Sequence, residues 1–402
     1  MVRARVQSGF KGGVEGGKQL MSQSPPVARA ESPAPAPARP RKGARVAELD
    51  GLRGIAILLV LVFHYAPKTG PLRYLGDIFG IGWIGVDLFF VLSGYLITGI
   101  LLDSVGRPHY YRNFIVRRSL RIFPLYYACL ILYCVLSFVP SPIHWKDFLT
   151  IGGGWWYVGY VGNLQVFLQN AWPGAAILTP LWSLQVEEQF YLSFPFLVWA
   201  TKRQTLARIL LGSLIGALLL RIALVVALPK NLMGTYALMP CRMDALAMGG
   251  LVAIAARERP GWLKGRWIGW LTALAVATFL LICGFVNSSP WSSLMRTIGY
   301  TAIDLAFTGV LVMLISWRQR FLLGLCRLKF LMWVGTISYG LYLLHIPALN
   351  ISHRWLAPVL GIAQSGSVDF FLMMAIAMAM AWISWTVFES PILRLKALFT
   401  VL

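Results

Sequence analysis

From residue 47 onward the chain alternates long apolar runs with short polar breaks. Leu206–Leu228 and Leu271–Val286 are two such runs. About 20 apolar residues in a helix cross the hydrocarbon core of a bilayer. On this pattern ten spans are expected, at 50–66, 82–102, 119–139, 181–200, 208–228, 237–256, 267–287, 299–317, 331–351 and 368–388. A membrane barrel would instead show short segments of alternating polarity, and these are absent. The expected class is therefore all-α, a polytopic membrane helix bundle.

Residues 1–46 break the pattern. They are rich in Gly, Pro and Arg, with Ala34-Pro35-Ala36-Pro37-Ala38-Arg39-Pro40 at their centre. Such a stretch has too few apolar groups to bury a core, so a disordered tail is expected. It has no apolar segment of the signal-peptide kind, and Met21 offers a shorter start. The expected organisation is a tail (1–46), a membrane domain (47–392) and a short tail (393–402).

Composition agrees with the pattern. Hydrophobic residues make up 58% of the 402, and mean hydropathy is +0.68. Charged residues are 13%, against about 25% in soluble domains. The net charge of +21 could suggest nucleic acid, but the basic residues cluster between apolar runs, as in cytoplasmic loops. With the N-terminus inside, the inner loops carry Arg107, Arg112, Arg117 and Arg118, then Lys202, Arg203 and Arg208. Arg257, Arg259, Lys264 and Arg266 follow, then Arg318, Arg320, Arg327 and Lys329, and finally Arg394 and Lys396. The outer loops hold only Lys68, Arg73, Lys146, Lys230, Arg296 and Arg354. Both termini are thus expected in the cytoplasm, and nucleic acid is not an expected partner.

One segment resists this scheme. Residues 148–168 are apolar enough to span, but a span there would turn every later basic loop outward. Residues 140–180 are therefore read as an outer, re-entrant or interfacial segment rich in Trp and Tyr, which favour that depth.

Five cysteines and five histidines are scattered without metal-ligand spacing, so no metal site is expected. Ionisable residues within spans are costly and usually functional. Arg53 and His64 lie eleven residues apart in the first span. That spacing puts them on nearly one helical face, about 16 Å apart along the axis. The plain alternatives are a snorkelling anchor for Arg53 and a packing role for His64. Arg118 and Arg121, at i and i+3, share a face, and their forked guanidinium groups suit phosphate. In Leu181-Trp182-Ser183-Leu184-Gln185-Val186-Glu187-Glu188 the two carboxylates point about 100° apart. Glu187 is assigned to the interior, and Glu188 to the rim or to a structural pairing. Asp87, Ser93 and His345 are supporting candidates. Gly85, Ser93 and Gly94 also suit close helix contact. Arg221, Arg242, Asp244, Asp304 and Glu389 are read as charges that neutralise one another inside the bundle.

Together these segments resemble the acyltransferase 3 family of membrane acyltransferases. ELDGLRGIAILLVLVFH, GVDLFFVLSGYLI, RRSLRIFPLYY and LWSLQVEEQFY carry the resemblance, and RMDALAMGGL, ISYGLYLLHIP and FESP follow in the expected order. It covers about residues 47–392. It implies a ten-helix core that moves an acyl group, commonly acetyl, from acyl-CoA to a carbohydrate hydroxyl. The family's Arg-x10-His motif falls on Arg53 and His64, and its Arg-x-x-Arg motif on Arg118 and Arg121. Some members carry a hydrolase-like domain after the core. This chain ends at Leu402, and no such domain is expected here.

These readings combine into one expected mechanism in the cytoplasmic membrane, with acyl-CoA as co-substrate and no bound cofactor. Arg118, Arg121 and Arg53 hold the donor phosphates. His64 is the general base on an acceptor hydroxyl of a carbohydrate or lipid-linked glycan, an acyl-histidine being the variant. Glu187 orients His64 or binds sugar, and outer Tyr and Trp residues stack on the sugar. His345 is the competing base. The rival classes are a transporter and a carrier that supplies acyl groups to a separate transferase.

Overall fold

The computed structural model describes residues 47–74, 76, 80–137, 153–174, 176–285 and 288–399. The expected disordered tail (1–46), part of the outer segment (138–152) and the last residues (400–402) lie outside the described residues. Every regular element among the described residues is a helix.

The principal helices are α1 (Ala47–Tyr65), α2 (Gly85–Ser104), α3 (Tyr110–Ser137), α4 (Gly154–Val158), α5 (Gly162–Gln169), α6 (Leu181–Ala200) and α7 (Arg203–Ala227). They continue with α8 (Met243–Glu258), α9 (Arg266–Phe285), α10 (Tyr300–Val312), α11 (Lys329–Thr336), α12 (Ser338–Ile351) and α13 (Ser367–Ile383).

By length and composition, seven helices among the described residues can cross a membrane, or eight if the pair Lys329–Thr336 and Ser338–Val359, bent by 76°, forms one span. Ten spans were expected. The two that fall short are α1 and α6, of 19 and 20 residues. Both are long enough; their polar residues lower the hydropathy. α1 carries Glu48, Asp50 and Arg53, and α6 carries Gln185, Glu187, Glu188 and Gln189. Glu48, Asp50, Gln185 and Glu188 are buried in the bundle, where a helix need not be apolar to meet lipid.

The outward face is apolar, which fits a lipid environment. On α7, Leu211, Ile215, Leu219, Ile222 and Val226 recur at three- and four-residue spacing and are all exposed. The segment at 153–169 folds as the short helices α4 and α5, and Trp155 is 83% exposed. Among the described residues it contains no spanning helix.

Glycines bring the central helices together. A Cβ on Gly94 of α2 would lie 2.0 Å from the Leu246 carbonyl oxygen, and one on Gly249 of α8 would lie 2.0 Å from that of Val91. Only a residue without a side chain permits this backbone approach.

Of the expected pairings among the interior charges, Arg221–Asp244 forms, while both Asp304 carboxylate oxygens are buried without a hydrogen-bond partner among the described residues. Arg242 is bonded to Asp87, and Arg221 to Asp244 at 2.7 Å. Asp87, expected as a supporting site residue, is engaged with Arg242, whose guanidinium lies 4.4 Å from the Tyr300 ring centre. Glu389 is not part of this cluster. It accepts a hydrogen bond from Ser384 at 3.0 Å and faces Gly340 on α12.

Candidate active site

Two cavities adjoin inside the bundle, and Val86 and Tyr342 stand in the wall of both. The first, of about 80 Å³, is lined by Arg53, Ser93, Arg118, Arg121, Glu187 and Tyr191, among others. The second, of about 220 Å³, holds His64 and His345. The two motif residues of α1 therefore serve different chambers, as their separation along one helical face requires.

In the first cavity, Arg118 and Arg121 project from α3 toward Arg53 of α1. The Arg118 guanidinium lies 5.6 Å from the Tyr191 ring centre and 5.8 Å from that of Phe114. Glu187 accepts from Ser93 Oγ at 2.5 Å and from Tyr191 Oη at 2.9 Å. Each carboxylate oxygen is thus engaged within this chamber, and the expected orienting bond from Glu187 to His64 is not formed. Ser93, read from the sequence first as a small packing residue, anchors that carboxylate. Glu188 is no rim residue. It is 4% exposed, and its Oε1 has no hydrogen-bond partner.

Lys396 joins the basic group, within electrostatic reach of Arg53, Arg117, Arg118 and Arg121. Its segment is held when Arg117 donates to the carbonyls of Lys396 at 2.9 Å and Phe399 at 2.7 Å. The sequence showed Lys396 only as a tail charge, because the contact spans some 280 residues. Asp50 Oδ1 lies 3.9 Å from Arg53 Nη1, and Glu187 lines the same cavity. The cluster keeps an excess of positive charge, which suits a polyanion.

The histidine cavity has a different character. His64 Nδ1 lies 2.8 Å from the Val60 carbonyl oxygen. A carbonyl can only accept, so Nδ1 donates and the neutral ring keeps its lone pair on Nε2. His345 repeats the arrangement, with Nδ1 at 2.7 Å from the Tyr342 carbonyl. The two rings meet edge to face at 4.7 Å. They differ in access: His64 is exposed to its chamber, whereas His345 is fully buried, with Nε2 unpartnered. Tyr65 Oη donates to the His345 carbonyl at 2.6 Å, which ties α1 to α12 at this level.

Around the histidines stand Trp83, Trp172, Trp182, Tyr236 and Trp291. Tyr236 lies at their centre, with ring centres 4.7 Å from Trp182, 5.1 Å from Trp291 and 5.9 Å from Trp172. Of the outer segment's aromatic residues among those described, only Trp172 lines this chamber. The others come from helix ends far apart in sequence, where no local pattern marks them.

Between the chambers, Tyr342 is pinned by its hydroxyl. It donates to the Pro180 carbonyl at 3.0 Å and lies 2.6 Å from Ser183 Oγ. The partition is thus a side chain held by two hydrogen bonds.

The acyltransferase 3 family model, described as an acyltransferase domain, matches residues 46–386. This chain belongs to that family. Curated relatives include the peptidoglycan O-acetyltransferase OatA of Listeria monocytogenes, 29% identical over 370 residues, or 86% of this chain and 56% of the relative. The putative peptidoglycan O-acetyltransferase YrhL of Bacillus subtilis is 28% identical, over 86% and 54% of the two chains. The O-acetyltransferase OatA of Staphylococcus aureus is 26% identical, over 86% and 56%. The chain therefore spans about half the length of these relatives. No solved structure matches it. The motif residues Arg53, His64, Arg118 and Arg121 all fall inside the matched region, and all four line the two cavities.

Proposed function

We propose that this protein transfers an acetyl group from acetyl-CoA to a hydroxyl of a cell-envelope glycan of the peptidoglycan class. The observation that carries this reading is the pair of adjoining chambers: an arginine cluster in one, and a histidine with a free Nε2 inside an aromatic cage in the other. The relatives' names point to the same chemistry.

In this reading the phosphates of CoA bind Arg118, Arg121 and Arg53. The pantetheine arm is a thin linear chain and suits the narrow first cavity. Its thioester passes Tyr342 to reach His64. The acceptor sugar lies against Trp and Tyr faces, which offer flat apolar surface to its C–H groups. His64 Nε2 takes the hydroxyl proton as the oxygen attacks the thioester carbonyl. The C–S bond then breaks, and the departing thiolate takes that proton back. One ester forms, and one free CoA thiol is released.

Purified protein given radiolabelled acetyl-CoA and a peptidoglycan fragment should place label on the glycan with equimolar release of CoA thiol. Binding of acetyl-CoA without label on any glycan would refute the reading and leave a carrier. The orientation we infer from the loop charges puts the arginine chamber at the cytoplasmic side. Cysteine placed at Asn170 should react with an impermeant reagent in intact cells, and cysteine at Lys264 should not. The reverse result would invert the donor's side.

A further inference from the structure

A third cavity lies apart from both chambers. It is a groove of about 780 Å³ between α7 and α8, with the start of α9 and part of α10 completing its walls. Its volume is within the range of about 300–1,000 Å³ typical of small-molecule sites. Leu211, Leu214, Leu251, Ile254, Leu305 and Val312 give it an apolar interior.

Its length and its mouth are what identify an occupant. On α7 the lining runs from Arg203 to Leu214, and on α8 from Met248 to Arg259. Eleven residues of helix rise about 16 Å. That is half of a hydrocarbon core about 30 Å thick, so the groove is one leaflet deep. Arg203, Glu258 and Arg259 sit at one end, with Trp262 and Trp267 beside them, and Arg208 follows about 7.5 Å along α7, close enough for its long side chain to extend toward that end. Arg203 and Glu258 pair with each other. Arg208 is exposed and makes no ion pair among the described residues, and the Arg259 guanidinium lies 4.8 Å from the Trp262 ring centre. Two unneutralised cations therefore face the headgroup level above an apolar slot, flanked by indoles that favour that level.

We propose that this groove binds one anionic phospholipid of its own leaflet, with the phosphate at Arg208 and Arg259 and an acyl chain between α7 and α8. A neutral solute would not need the cations, and a free phosphate would not need the slot. Charge complementarity together with leaflet depth selects a lipid carrying net negative charge.

The test uses the purified full-length protein in detergent. It is mixed with equal amounts of phosphatidylglycerol and phosphatidylcholine of identical acyl chains, and bound lipid is read by native mass spectrometry. Phosphatidylglycerol should be retained in clear excess. Basic side chains near an anionic headgroup each contribute about fivefold, so Arg208→Gln with Arg259→Gln should cut the preference about 25-fold. Both arginines are exposed, so the double variant should fold. Leu251→Trp, which fills the slot and keeps the arginines, should lose both lipids. Equal retention of the two lipids overturns the proposal, as does an unchanged preference in the double arginine variant or full retention in Leu251→Trp.

Discussion

His64→Gln should lower acetyl transfer about 10²–10⁴-fold, the usual worth of a positioned general base, with protein yield and acetyl-CoA affinity preserved. The argument rests on the ring's two nitrogens. Nδ1 is committed to the Val60 carbonyl at 2.8 Å, which leaves Nε2 free in the aromatic chamber. Glutamine fills similar space and still donates a hydrogen bond, but its amide cannot take a proton near neutral pH. His345 sits 4.7 Å away, ring to ring, in the same tautomeric arrangement. It is fully buried, whereas His64 is exposed in the chamber that both line. His345→Gln should therefore reduce turnover less than His64→Gln. Initial rates of labelled acetyl transfer by the two purified variants decide the matter. Near-normal rates in His64→Gln, with a dead His345→Gln, would move the base to α12.

Arg118→Ala combined with Arg121→Ala should weaken acetyl-CoA binding by about 10²–10⁴-fold, since hydrogen bonds to charged groups contribute about 1.5–3 kcal/mol each. The loss should appear chiefly as a raised KM, because phosphate contacts remote from the thioester act alike on ground and transition states. It should shrink at high salt, since screening already weakens part of this attraction in the native protein. Lys396→Ala should have a smaller effect, since that side chain does not line the arginine cavity. Isothermal titration with acetyl-CoA measures the effect. Native affinity in the double variant would make the arginines membrane anchors and leave the donor site unassigned.

The sequence by itself determined the helical membrane class, because apolar runs of spanning length are a local property. It also determined the motif residues. Arg53 and His64 lie on one helix, as do Arg118 and Arg121, and helical geometry places each pair without knowledge of the fold. That Glu187 faces the interior was a choice between two adjacent carboxylates, and the structure buries Glu188 as well. Tertiary structure alone decided what these groups touch. Glu187 bonds to Ser93 and Tyr191 rather than to His64, because α2 and α6 meet beside α3, and no spacing in the chain encodes that meeting. Asp87 pairs with Arg242 across 155 residues, and Lys396 reaches Arg118 from the opposite end of the chain. The aromatic cage draws on five residues from separate segments around His64. The partition at Tyr342 exists only where α12 crosses the start of α6. Side-chain periodicity is set within a helix, whereas the pairing of helices depends on packing across the whole bundle, where a glycine such as Gly94 or Gly249 sets how closely two backbones approach.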